Sequence, residues 1–235
     1  MQRICRFMPY TALFLLSFAS QAAGGSSVTA KEVIETLEKG YATISDLQAD
    51  FSQQTTIASL NREERGAGEL FIRKTMFRFN YTKPRQQIVS NGKTVWYYLP
   101  ENKQVLISDA ATLFAGGNGV ALNYLTGLGH ISADFTASIP GDVRDKKGDH
   151  IIDLVPKKQN PVMAKLRLTV SAKAVEEYLE AGKVRTPFPI VSSVVYDQLG
   201  NKTRIDFSRV KVNQGLGSDR FNFKVPPGVE VIKQK

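Results

Sequence analysis

Apolar and polar positions change their period once along this chain. Ile34, Leu37, Tyr41 and Ile44 recur at helical spacing and mark one apolar stripe. Thr29 and Glu32 form the T-x-x-E pattern of a capping box ahead of it, and Gly40 is expected to stop the helix. From Leu47 onward the period is two. Leu47, Ala49 and Phe51 alternate with Gln48, Asp50 and Ser52, which predicts a strand with one apolar face. Gly66–Arg73 continues with Leu70 and Ile72 on one face and Phe71 on the other. Phe77, Phe79 and Tyr81 line one side of the next strand, and Arg78 and Asn80 the opposite side. Gln86–Ser90 and Thr94–Leu99 flank Asn91-Gly92, the pattern of a tight hairpin with a type I′ turn. Pro100–Asn102 turns the chain into a further strand, Gln104–Ile107.

Residues 109–129 break this meander. Asp109 is placed to cap a short helix through Ala110, Leu113 and Phe114, and a second helix is expected from Val120 to Leu125, including Leu122. Gly116, Gly117, Gly119, Gly127 and Gly129 lie between and after them. A hinged cover and an apolar surface loop both fit that pattern. Strands are expected again at Ile131–Ile139, Ile151–Val155, Leu166–Val170, Ile190–Tyr196, Thr203–Val212 and near Phe221–Lys224. Ala172–Gly182 has helical composition, and Pro187 and Pro189 end that excursion. The total is nine to eleven strands without βαβ alternation or repeats. One antiparallel sheet bent into a barrel or half-barrel is the economical fold.

The first 22 residues belong to none of this. Arg3 and Arg6 precede an apolar run within Met8–Ala19, and Ser20-Gln21-Ala22 offers small residues at a cleavage site. The run is too short to cross a bilayer. It reads as a cleaved secretory signal, with residues 23–235 as a single exported domain, most simply periplasmic. Cys5, the sole cysteine, leaves with the signal, so the mature chain has no disulfide or thiolate. Of 235 residues, 31 are basic and 22 acidic, but the basic ones are scattered. An exported chain meets no nucleic acid, which leaves a solvated basic surface or acidic lipid as the reading.

Catalytic chemistry finds no support. No serine stands in a G-x-S-x-G elbow, and His130 and His150 lie apart from any nucleophile. No paired histidines have metal-ligand spacing, and no cofactor motif is present. Glu63-Glu64 and Glu176-Glu177 sit in hydrophilic segments; Gly66 and Gly68 are better read as strand bulges than as a phosphate loop. The chain instead has apolar residues on too many faces: Phe71 opposes Leu70 and Ile72, and Trp96 and Tyr98 oppose Val95, Tyr97 and Leu99. A sheet with one solvated face needs one such set. A covered core on both faces explains two, and so does an apolar concavity that holds lipid. Acyl chains supply ~0.8 kcal/mol per buried methylene, enough for binding without specific polar contacts.

Several segments in order resemble the LolA family of periplasmic outer-membrane lipoprotein carriers. They are Gln48-Ala-Asp-Phe51-Ser-Gln53, Gly66-x-Gly68-x-Leu70, Phe77-Arg-Phe79-Asn-Tyr81 with Pro84, and Gln87–Val95-Trp96-x-Tyr98. Asp197-Gln-Leu-Gly200-Asn201-Lys-Thr203 and Phe221-x-Phe223-x-Val225-Pro226-x-Gly228-Val229 complete the set. The resemblance implies an unclosed antiparallel half-barrel, mainly β with an N-terminal helix and a short helical lid over a hydrophobic cavity. It implies a monomeric carrier, not an enzyme, that takes lipoprotein acyl chains from the inner-membrane transporter LolCDE to the receptor LolB. On that reading Phe51, Leu70, Phe79, Tyr81, Ile88, Trp96 and Tyr98 line the cavity, and Leu113, Phe114, Leu122 and Leu125 belong to the lid. The family's arginine latch, which precedes a proline, falls on Arg73 or Lys74 according to the register, and the proline is missing here. Phe77 matches the family's transporter contact; as a residue alone it fits the core equally. Carriers of other lipids or glycolipids, and sensors of misfolded outer-membrane components, share the implied shape.

Overall fold

The computed structural model describes residues 27–111, 130–141, 144–160 and 163–233. The elements in chain order are α1 (Ala30–Tyr41), β1 (Leu47–Ile57), β2 (Arg62–Arg73), β3 (Met76–Lys83), β4 (Gln86–Ser90), β5 (Thr94–Leu99) and β6 (Gln104–Asp109). After residue 129 come α2 (Ile131–Asp134), β7 (Phe135–Ser138), β8 (His150–Pro156), β9 (Lys165–Val170) and α3 (Ala172–Ala181). β10 (Ile190–Tyr196), β11 (Lys202–Val212) and β12 (Glu230–Lys233) finish the chain.

One 12-stranded sheet holds every described strand, in the order β12-β6-β5-β4-β3-β2-β1-β11-β10-β9-β8-β7. The two ends of that order do not pair, so the sheet is open. All neighbours are antiparallel except β12, which lies parallel to β6 with Val231 beside Val105. The final strand is therefore at Glu230–Lys233 and not near Phe221–Lys224, where a 3-10 turn at Ser218–Phe221 takes its place. The stretch expected as a strand from Ile131 begins instead with the helical turn α2, because Ile131 buries itself beside α1.

α1 follows its sequence signals closely. The Thr29 side chain accepts from the Glu32 N–H at 3.3 Å, and the Thr29 N–H donates to Glu32 at 2.7 Å, completing the capping box. Such a cap stabilises a helix by about 1 kcal/mol. The stripe of Val33, Ile34 and Leu37 is buried on the sheet, each side chain contributing on the order of 2 kcal/mol. Gly40 does not stop the helix, which runs on to Tyr41. Its role is close approach: a Cβ there would stand 2.5 Å from the Pro187 carbonyl oxygen. α3, capped by Ser171 and closed by Gly182 at φ 63°, packs beside α1 and precedes that Pro187 contact.

The face beneath α1 is the inner face. It carries Leu47, Ala49 and Phe51 of β1, Leu70 and Ile72 of β2, and Phe77 and Phe79 of β3. Ile152 and Leu154 of β8, Leu166 and Leu168 of β9, and Ile205 and Phe207 of β11 continue the same core. The outer face has its own cover. Residues after Val212 cross it as a strap, with Leu216 and Phe221 buried against Phe71 and Met76 packed beside them. The Arg220 guanidinium lies 4.5 Å from the Phe71 ring centroid, and Arg78 donates to the Arg220 carbonyl at 3.0 Å. The buried Asp46 carboxylate anchors the start of the strap by accepting the N–H groups of Gln214, Gly215 and Leu216 at 2.8, 2.9 and 3.3 Å. Farther along the outer face, Arg167 grips Asp153 with two hydrogen bonds of 2.6 and 2.8 Å, and Lys165 adds a third at 3.1 Å. The Arg167 bonds hold the Asp153 carboxyl below its ordinary range.

Candidate functional site

The inner face of β1–β5 gathers most of the aromatic side chains singled out from the sequence. Phe51 of β1 stands opposite Gly68 of β2, and Gly68 opposite Tyr81 of β3. The absence of a side chain at Gly68 is required, since a Cβ would run into the Asn80 carbonyl at the β2–β3 bulge. Phe51 therefore packs edge-on against both Phe79 and Tyr81, with ring centroids 5.3 and 4.8 Å apart. Tyr81 stacks on Phe79 at 6.3 Å, and Phe77 meets Phe79 edge-on at 6.2 Å. Gly66 lies under the Tyr81 ring, leaving room where a Cβ would stand 3.1 Å from two ring carbons. Leu70 pairs with Phe79, and Phe79 with Ile88, so five of the seven expected lining residues share one face.

Trp96 and Tyr98 do not belong with them. Ile88 stands opposite Tyr97 and Ser90 opposite Val95, so the inner face of β5 carries Val95 and Tyr97. Trp96 and Tyr98 face outward, where Phe223 of the strap covers them at centroid distances of 6.3 and 5.4 Å. The surplus apolar surface that marked β2 and β5 is explained there by the strap. Phe77 is also not a surface aromatic: it lies on the inner face opposite Ile72 and Ser90 and is 1% exposed. In this arrangement it is a core residue and offers no ring to an outside partner.

Arg73 and Lys74 form the β2–β3 turn, with Arg73 paired to Met76 and Lys74 at φ 55°. Strand alternation turns Arg73 toward the outer face with Phe71, which leaves Lys74 at the tip. The β4–β5 turn lies alongside, Gly92 sitting against Thr75. Only Gly92 of Asn91-Gly92 has positive φ, so the turn is not type I′; the Asn91 side chain instead accepts from Lys93 and Thr94 at 3.0 and 2.8 Å. From the same corner the chain departs toward residue 112, tied by the Ala110 N–H to the Lys93 carbonyl at 2.8 Å. Asp109 ends β6 at this corner and stands directly before the helical residues Ala110 and Ala111, the position of the expected cap. Leu113, Phe114, Leu122 and Leu125 lie outside the described residues. At the far side the chain returns through α2, where Ser132 N–H donates to Glu38 of α1 at 2.7 Å. Residues 112–129 thus connect β6, next to one edge of the sheet, with β7 at the other.

The inner face also carries polar partners for its tyrosines, Gln53 and Gln86, which the sequence reading did not place in the cavity. Tyr81 donates its phenol to Gln53 at 2.8 Å, and Tyr97 donates to Gln86 at 2.7 Å. Desolvation pushes both phenols upward, and Glu64 adds to the shift at Tyr97. Among the described residues there is no cluster of histidine, cysteine and carboxylate able to hold a metal ion, and no helix is long and apolar enough to cross a membrane. His150 is buried, with its Nε2 lacking a partner among the described residues, and burial together with Arg144 pushes its imidazole down.

Residues 42–224 match the family "Outer membrane lipoprotein carrier protein LolA". The outer-membrane lipoprotein carrier protein of Pseudomonas aeruginosa is 31% identical over 192 residues, covering 80% of this chain and 81% of that protein. The protein of that name from Chromobacterium violaceum is 30% identical over 229 residues, 93% of this chain and 96% of its own. In three dimensions, an uncharacterized conserved protein from Thermus thermophilus superposes with a TM-score of 0.50 at 18% identity, over 87% of this chain and 99% of that one. The structural likeness carries the fold alone. With the sequence match running from the end of α1 to the strap, the chain belongs to the LolA family.

Proposed function

We propose that this chain is a periplasmic lipoprotein carrier, which receives acyl chains released from the inner membrane and delivers them to the outer membrane. The observation that carries the reading is the continuous apolar inner face from Leu70 through Phe79 to Ile88, with Phe51 and Tyr81 beside it. The LolA family is one of carriers and not enzymes, and the relatives named above are called outer-membrane lipoprotein carrier proteins. Residues 1–22 act as a cleaved export signal, and residues 23–235 work as one monomeric domain. An inner-membrane transporter of the LolCDE type supplies the cargo, and an outer-membrane receptor of the LolB type accepts it.

Binding needs no bond to be made or broken. Acyl chains enter against the Phe51–Phe79–Tyr81 group when the segment from 112 to 129, with Leu113, Phe114, Leu122 and Leu125, moves aside. The turn carrying Arg73 and Lys74 lies at that segment's root and is placed to latch it. Strand direction favours Lys74, whose ammonium holds as a point charge where an arginine would hold as a fork.

Native mass spectrometry of protein isolated from its periplasm, followed by lipid extraction, tests this directly. Bound acylated lipoprotein is the expected result. Bound glycolipid or phospholipid alone would transfer the role to another cargo, and an empty protein that also refuses a fluorescent acyl probe would overturn the carrier reading. Arg73→Ala and Lys74→Ala, made separately, are expected to differ, the Lys74 change releasing bound cargo faster. Equal retention in both would remove the latch from this turn.

A further inference from the structure

The inner face changes character along β1: after Leu47, Ala49 and Phe51 come Gln53 and Thr55. The change runs across the sheet. Tyr81 stands opposite Gln86, and Tyr97 lies one row nearer the apolar half, opposite Ile88. Gln86, which accepts from Tyr97, stands directly opposite Tyr81, so the Tyr81–Gln53 and Tyr97–Gln86 pairs form one polar shelf. All four side chains are half-buried.

The donors and acceptors on this shelf are ordered. Each phenol gives its proton to a carboxamide oxygen, at 2.8 Å for Gln53 and 2.7 Å for Gln86. Desolvation raises both phenols, which keeps them protonated in that donor role at neutral pH. With its oxygen engaged, each amide has its NH2 group left to donate. Gln53 uses one N–H on Thr55 at 3.2 Å. The remaining N–H groups of the two amides have no acceptor among the described residues.

An acyl chain never arrives as a pure hydrocarbon. The carbonyl that joins it to its head is carried to the edge of the apolar region, and burying that oxygen without a donor costs about 1–3 kcal/mol. We propose that Gln53 and Gln86, oriented by Tyr81 and Tyr97, form a carbonyl-recognition shelf for the ester or amide oxygens at the head of an acylated ligand. The chains then run toward Phe79 and Leu70. The proposal rests on the carrier reading and adds to it the chemical group that sets how deep the ligand sits. Both a lipidated peptide and a phospholipid carry such carbonyls.

The test compares ester-linked ligands with ether-linked analogues, which keep the chains and lose the carbonyls. A diacylated lipopeptide, phosphatidylglycerol with the same chains, and the dialkyl ether analogue of each are titrated against displacement of a fluorescent acyl probe. Wild-type protein is expected to prefer the ester forms by about tenfold, the worth of one or two hydrogen bonds. The double change Gln53→Leu with Gln86→Leu should bring that ester-to-ether preference close to unity. Tyr97→Phe, a milder change that frees the Gln86 amide to turn, should reduce the preference in part and serves where the double variant folds poorly. A preference confined to the lipopeptide, or to the phospholipid, supports the shelf and names its ligand source. Equal binding of ester and ether forms by the wild type, or a preference that survives both sets of changes, overturns the shelf and leaves the carrier reading standing. Failure of the wild type to bind any of the probes overturns both.

Discussion

Gly40 and Pro187 touch backbone to backbone: a methyl group on Gly40 would meet the Pro187 carbonyl oxygen at 2.5 Å. This contact sets α1 against the segment that follows α3, and no flexible side chain is available there to yield. Gly40→Ala is therefore expected to lower stability by about 1–3 kcal/mol, although alanine has the higher helix propensity. Urea unfolding monitored by far-UV circular dichroism measures it. An alanine variant as stable as the parent would mean that the helix shifts freely on its support.

Asp46 holds the beginning of the strap through three backbone N–H groups. Asp46→Ala leaves the buried Leu216 N–H unmatched and hands those of the exposed Gln214 and Gly215 to water, and the loss is expected to reach about 1–3 kcal/mol. Limited proteolysis should then cut within residues 213–233 first. Cleavage beginning in α1 or β7 would show that the strap is anchored mainly by Phe221.

Trp96 is the only tryptophan in the chain, and its indole lies on the outer face against Phe223. Acyl chains brominated along their length quench tryptophan only at close range. Binding of such chains to the inner face is expected to leave Trp96 emission unquenched, whereas Phe223→Ala should shift that emission to the red. Strong quenching by a bound brominated chain would place the ligand on the opposite side of the sheet.

Burial and Arg144 push the His150 imidazole below its ordinary value of 6.5, while Glu176 and Asp149 act weakly in the other direction. The unfolded chain thus takes up a proton before the folded one. Stability is expected to be full above about pH 7, to fall as the pH drops through 6.5, and to stop falling once the folded imidazole is also protonated. Urea midpoints at pH 7.5, 6 and 5 read the slope, and His150→Gln should flatten it. An unchanged slope in that variant would assign the pH response to carboxylates.

How far the sequence reaches depends on what kind of feature is asked for. α1 and the strands β1 to β5 follow from local period and capping, because each element carries its own signal in a few residues. The inner-face partners of Phe79 follow too, once hairpin register is considered. Any short turn through Asn91-Gly92 that keeps this parity sets Ile88 opposite Val95 or Tyr97. The family resemblance counts Trp96 and Tyr98 among the lining residues, but register turns both rings to the other face. The strap is different. Its contacts join Phe221 and Phe223 to Phe71, Trp96 and Tyr98 across long separations in the chain, and no local pattern announces that an irregular segment will cover a sheet face. Gly40 misleads for a related reason: helix-stopping and close-packing glycines look alike until the element that packs against them is known.

The parallel pairing of β12 with β6 has a consequence for how the molecule behaves among its own copies. An open sheet ends in two rows of unpaired backbone groups, and a long flat row invites a strand from a neighbouring chain. Here β6 is occupied by a four-residue strand bearing Glu230 and Lys233 at its ends, and the opposite end of the sheet is the equally short β7. Among the described residues the sheet thus presents to other copies two brief edges, one of them bounded by charge. Resistance to fibrillar self-assembly is built into the same 12-stranded layout that carries the apolar inner face.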